Sequence, residues 1–301
     1  MTEEQQAGLA RFLDTAYGFL TTGYKEPARY NFDVCNVSPA AEVVPGPELG
    51  GSPQPCAGVG GRGDDAAVCR KMSGNSAPLM EESSVGNGTP LPAESAVENT
   101  MAELEEVAAC VRECTLCGLC ATRIKAVPGE GAQRPLALVV GEGPGADEDS
   151  SGRPFVGAAG RLLDQMLLSI GLDRNRNCFI ANVIKCRPPG NRDPLPEETA
   201  ACLPFFERQL AALRPPVILT VGKVPVKTLL GTDEGITRLR GNWKSYRGIP
   251  LLPTFHPSYL LRDESQKKFA WEDLKALCRR LAGIDPGYAA ETAELRRARG
   301  I

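Results

Sequence analysis

The sequence predicts an α/β domain built around a parallel sheet, preceded by a long extension without regular structure. Three observations carry this reading. Short apolar runs recur along residues 101–285, several ending at Gly or Asn. Segments of helical spacing lie between them, and strands that alternate with helices indicate parallel βαβ units. Residues 26–100, by contrast, are rich in Gly, Pro, Ser and Glu and hold no sustained periodicity, so they read as a low-complexity, disordered linker.

Each element follows in order. Residues 1–25 carry a short amphipathic helix. Thr2 and Gln5 resemble a capping box, and Leu9, Phe12, Leu13, Ala16 and Leu20 share one face. Residues 101–112 look helical, and Leu136–Gly141 (LALVVG) is a buried strand. A helix over 160–170, a strand over 178–183 (CFIANV) and a helix over 197–213, broken near Pro204, come next. A third strand over 217–222 (VILTVG) leads to a short helix over 224–230. A fourth strand over 249–255 (IPLLPTF) should be short because of its prolines, and a helix over 267–282 closes the domain before a tail at 286–301. The expected centre is a four-stranded parallel sheet. In such sheets ligands bind beyond the carboxyl ends of the strands. Glu142, Asn182 and His256 each follow or end a strand, so three separate chain positions meet at one rim.

Composition narrows the class. Of 301 residues, 42% are apolar, enough for a substantial core, and no apolar run approaches a membrane span. The polar start is unlike a signal peptide, which leads us to expect a cytoplasmic protein, and we expect it to be a monomer. The net charge of −3 argues against nucleic acid at first sight. It is unevenly spread, however. Residues 1–100 hold 6 Lys/Arg against 13 Asp/Glu, and residues 101–301 hold 28 against 24. The body is mildly basic, which permits contact with phosphates.

Eleven cysteines without a secretion signal point to metal ligands or buried thiols rather than disulfides. Cys110, Cys114, Cys117 and Cys120 crowd into one short stretch (CVRECTLCGLC), and Cys186 and Cys202 follow. Such a set suffices for a four-thiolate iron–sulfur or zinc site. The spacing Cys110-x3-Cys114-x2-Cys117 also matches enzymes that use S-adenosylmethionine as a radical source, but too few strands follow for their barrel. A bacterial ferredoxin run would need a cysteine–proline that is absent here.

Together the strings GEGPGADEDSSGRPFVGAAGRLL (141–163), ANVIKCRPPGNRDP (181–194) and FHPSYLLR (255–262) resemble the type-4 uracil-DNA glycosylases over about residues 110–275. The resemblance implies the three-layer fold of that superfamily and removal of uracil from DNA, leaving an abasic site. It implies a [4Fe-4S] cluster on Cys114, Cys117, Cys186 and Cys202. Cys110, Cys120, Cys178 and Cys278 are then non-ligands, although Cys110 or Cys120 could compete for the first pair. It further implies that Phe155 stacks on the flipped base.

These residue types suit the chemistry. A glycosylase must take the base out of the stack, and an aromatic platform receives it. The amide of Asn182 offers a donor and an acceptor that match the O4 and N3–H of uracil. His256 can stabilise charge that builds on O2 as the bond breaks. The resemblance implies that Glu142 lies at the base pocket with the N–H groups of Gly143 and Gly145 nearby, where it can position water or stabilise the cationic sugar. Other families carry an Asp at the position of Gly143, so a dedicated base is absent here. Asp147, Glu148 and Asp149 are alternative carboxylates, though such a run commonly starts a solvated helix. For DNA contact, Leu260 and Leu261 are candidates for an apolar wedge, with Arg262, Arg187 and Arg192 on phosphates. The competing reading is that the leucines start a helix and face the core. Different readings of the whole chain are a non-catalytic DNA-binding or partner-recruiting module on the same fold, and an electron-transfer protein. Gln6, Leu9, Phe12 and Leu13 faintly resemble a sliding-clamp peptide, which would make a replication or repair protein a partner of the N-terminal helix.

Overall fold

A computed structural model describes residues 93–299. The expectations for residues 1–25 and for most of the linker lie outside the described residues. The chain enters with α1 (Ala93–Glu113), so the last part of the expected linker is helical. Its Ala- and Glu-rich sequence has no Pro or Gly after Pro92 to stop a helix. There follow β1 (Glu130–Gly131), β2 (Ala137–Gly141), α2 (Ala146–Ser151), α3 (Ala158–Ser169), β3 (Cys178–Asn182), α4 (Pro196–Leu213), β4 (Ile218–Val221) and α5 (Lys223–Leu230). The chain continues through α6 (Ile236–Leu239), β5 (Lys244–Tyr246), β6 (Ile249–Thr254), α7 (Pro257–Arg262), α8 (Lys267–Ile284) and α9 (Tyr288–Arg299).

One sheet runs in the order β1-β3-β2-β4-β6-β5. Its four central strands are parallel, as expected, and each edge adds a short antiparallel strand. Two and three residues are too few to show a period, which is why neither edge strand is visible in the sequence. The second closes through Arg247 and Gly248, both at positive φ, in a two-residue hairpin.

The sheet is covered on both faces, so its strands read as continuous apolar runs. Ala137, Val139, Ile180 and Leu219 point to the side of α3, α7 and α8, where Leu163, Leu260, Trp271 and Leu274 pack. Leu138, Val140, Phe179 and Ile218 point to α1 and α4, against Val107, Val111, Phe206 and Leu210. Three layers result.

Three element expectations need correction. α4 runs unbroken through Pro204, because its face of Cys202, Phe205, Phe206, Gln209 and Leu213 is anchored on the sheet on both sides of the proline. β6 is the longest strand despite its prolines. Gly241 N donates to Pro253 O at 3.0 Å, so residue 253 turns its nitrogen side to the loop that leads into β5 and not to β4. The expected tail is the helix α9, pinned by Tyr288, which is 1% exposed and donates its hydroxyl to Ile170 O. No helix among the described residues is long and apolar enough to cross a membrane.

Candidate active site

The carboxyl ends of the four parallel strands open onto a cleft of about 490 Å³. β2 leads into Glu142, Gly143 and Gly145, β3 ends at Asn182, β4 leads into Gly222 and Lys223, and β6 into His256. Phe155 enters from the loop between α2 and α3. The expected rim residues therefore meet. Lys223 and Asp193, to which the sequence reading gave no role, join them. The same strand-end rule would have found Lys223, since it follows a strand and a glycine.

Phe155 packs its ring 5.8 Å from that of His256, centroid to centroid. Its φ of +52° lies in the left-handed region, which is uncommon for a bulky side chain and marks a site where strain is held for a purpose. The end of β2 must be glycine for this arrangement. A Cβ on Gly141 would stand 2.5 Å from Phe155 Cζ and 2.4 Å from Asn182 Oδ1. Asn182 is 1% exposed, and its Oδ1 is buried without a hydrogen-bond partner. Such an atom costs about 1–3 kcal/mol, which an N–H donor in the cleft would recover.

His256 caps α7. Its Nδ1 accepts from Ser258 N at 3.1 Å and lies 2.7 Å from Ser258 Oγ. A ring nitrogen that accepts from a backbone N–H holds no proton, so the neutral ring carries its proton on Nε2. Burial, with help from the Arg262 charge, pushes the imidazole down to about 4. His256 is thus a neutral donor at neutral pH. Glu142 moves the other way. Burial, and then the nearby Asp193 carboxylate, push its carboxyl up to about 7, against the pull of Lys223. Asp193 and Lys223 pair at 3.2 Å.

The carboxylate run 147–149 is not a solvated helix start. Glu148 accepts from Gly145 N at 3.1 Å and from Val156 N at 3.0 Å, tying the glycine loop to the Phe155 loop. The N–H of Gly145 is therefore occupied by a carboxylate rather than offered to a substrate. Asp149 is buried and accepts from Ile124 N at 2.9 Å. Asp147 alone of the three is exposed.

Behind β3 lies a second pocket. Cys114, Cys117, Cys186 and Cys202 line it together with Arg123 and Lys185. All four are free thiols. Lys185 N donates to Cys202 Sγ at 3.2 Å and Arg123 Nη1 to Cys186 Sγ at 3.1 Å. Cys110 and Cys120 are disulfide-bonded, which corrects the expectation that the cysteines are metal ligands or buried thiols rather than disulfides. Cys178 and Cys278 sit in the core between α3, α8 and the sheet, where burial pushes their thiols up to about 12 and about 11. The fully buried Lys185 bridges the two pockets, donating to Asn182 O at 2.8 Å and Gln209 Oε1 at 2.6 Å.

The expected DNA contacts separate. Leu260 is 1% exposed and packs beside Leu162, Met166 and Trp271, so it is a core residue and not a wedge. Leu261 is 44% exposed. Successive helix positions differ by about 100°, so α7 cannot present both leucines outward while it packs on α3. Arg262 is exposed at the mouth of the cleft. Arg192 is turned onto Glu198 in a two-pronged pair at 2.8 and 2.6 Å, while Arg187 makes a single bond to Asn191 Oδ1 at 2.8 Å.

A three-layer domain with this rim has the form of a base-excising glycosylase, and the family described as the Uracil DNA glycosylase superfamily matches residues 128–275. A type-4 uracil-DNA glycosylase of Sulfurisphaera tokodaii is 43% identical over 186 residues, spanning 59% of this chain and 84% of that protein. One from Thermotoga maritima is 43% identical over 178 residues, 57% and 91% of the two chains. A third, from Saccharolobus solfataricus, is 40% identical over 184 residues, 58% and 85%. The chain belongs to the type-4 uracil-DNA glycosylase family.

Proposed function

We propose that this protein flips uracil out of DNA and hydrolyses its N-glycosidic bond, leaving an abasic site. The observation that carries this is the orphaned Oδ1 of Asn182, buried beside an aromatic ring and a neutral imidazole donor. The unpaired acceptor fits the N3–H of uracil, and the amide N–H fits O4. With the amide in this orientation, cytosine, which lacks that N–H and carries an amino group in place of O4, would leave it unpaired, which is how a site of this kind rejects an analogue. Phe155 receives the base by stacking. As the bond stretches, negative charge collects on O2, and the Nε2–H of His256 stabilises it as a donor that needs no proton transfer of its own. Glu142, when ionised, favours the cationic sugar or holds the attacking water.

Cys114, Cys117, Cys186 and Cys202 would hold a [4Fe-4S] cluster. They fit one on two counts: four free thiols share a pocket, and N–H groups already point at two of the sulfurs, as thiolate acceptors require. When bound, the cluster would supply a cross-link between the 114–117 loop, the segment after β3 and α4, and a hydrolysis needs no redox step from it. On the DNA side, Arg262 and Arg187 would meet phosphates, and Leu261 would fill the space left by the flipped base.

The test is excision from a labelled oligonucleotide with one uracil, read by alkaline cleavage of abasic sites, beside His256→Ala and Asn182→Ala. Uracil-dependent cleavage that is lost in both variants supports the enzyme. An iron-loaded protein that binds the DNA without cleaving it would instead be a binding module.

A further inference from the structure

The left-handed backbone of Phe155 has to be held against its own preference, and the structure contains a device aimed at it. Arg174 lies in the turn between α3 and β3 with its side chain 8% exposed. Nη1 donates to Pro154 O at 2.7 Å and Nη2 to Phe155 O at 2.9 Å, so the guanidinium grips the two carbonyls around the strained residue. Its remaining donors go to Glu130 Oε1 at 2.8 Å and to Asp164 Oδ1 at 2.7 and 2.9 Å. All five N–H groups are therefore used, in a planar fork that lysine cannot reproduce. The turn that carries Arg174 is itself locked, with Asn177 Oδ1 accepting from Asp173 N at 2.8 Å and Asn177 Nδ2 donating to Gly171 O at 3.0 Å. On the other side Gly160 makes room for the same carbonyl: a Cβ there would stand 2.0 Å from Phe155 O.

We infer that Arg174 is a positioning residue for base recognition, fixing the Phe155 platform through the Pro154 and Phe155 carbonyls. This rests on the proposed stacking role of Phe155. Arg174 touches no substrate. Released from the clamp, Phe155 relaxes toward ordinary φ and swings its ring away from His256.

The test is a double-mutant cycle on the full chain, measuring single-turnover excision of uracil and thermal melting. The variants are Arg174→Lys, Gly160→Ala, Phe155→Ala and the two combinations with Phe155→Ala. Gly160→Ala pushes the same carbonyl while leaving the ion pairs intact, so it decides the matter if Arg174→Lys does not fold. With Phe155 present, either change should lower excision about a hundredfold, the usual penalty for a small misplacement. With Phe155 already removed, neither should cost more than about twofold. Equal losses in both backgrounds, or full activity in Arg174→Lys and Gly160→Ala, would overturn the inference. Full activity in Phe155→Ala would overturn the stacking reading and the inference with it, while the Asn182 and His256 variants judge the glycosylase reading separately.

Discussion

Two residues of the cleft have proton affinities displaced in opposite directions, and each shift has a consequence that can be measured. The imidazole of His256 is held near 4 instead of 6.5, chiefly by burial. Its folded form resists protonation, so the stability it lends is present above pH 6.5 and is lost as pH falls toward 4. The ring should therefore stay neutral, with Nδ1 free to accept from Ser258 N, down to about pH 4, and the wild type should lose stability between pH 6.5 and 4 faster than His256→Gln. Melting curves across the range check this. Glu142 is held near 7. If the carboxylate is the active form, kcat/KM rises with pH through about 7 to a plateau, and Glu142→Gln is slower and flat there. A wild-type profile with no inflection near 7 would remove Glu142 from the mechanism. For His256→Ala, loss of one donor to a developing oxyanion should reduce kcat by roughly a hundredfold or more.

At the scale of elements, α7 gives the clearest separation of roles. Leu260 faces the core and Leu261 faces out. Leu260→Ala should destabilise the fold by about 2–5 kcal/mol. Leu261→Ala should leave the melting temperature nearly unchanged and slow excision from duplex DNA more than from a single strand, where no space needs filling. Equal behaviour of the two variants would deny the helix this division. Arg262, at the far end of α7 from His256, should weaken binding evenly across sequences when changed to Ala, and lower the salt slope by about 1.

For the whole molecule, the cysteine pocket gathers three segments that the proposed cluster would cross-link. It joins the loop after α1 to the segment after β3 and to α4, and Lys185 carries the connection on to the Asn182 carbonyl. Cys186→Ala should remove the iron-dependent absorbance and lower the melting temperature, while Cys178→Ala, a core thiol, should keep the iron. Retention of full absorbance in Cys186→Ala would exclude it as a ligand.

By itself the sequence determined the α/β class, the four parallel strands and the residues at their ends, because buried strands are apolar runs and strand ends are where glycine, Asn and His stand out. It also carried the four candidate ligands, through the crowded cysteines and a family resemblance resting on strings long enough to be specific. Tertiary structure alone decided what depends on neighbours distant in the chain. The edge strands exist only as partners of β3 and β6. The direction of Leu260 was set by α3 and α8, and the inward turn of Glu148 and Asp149 by loops they reach across. Arg174 drew no notice in a single string, because its function lies in two carbonyls twenty residues away. The displaced proton affinities of Glu142 and His256 belong to the same group. They arise from burial and from charges brought near by folding, and no spacing of residues encodes them.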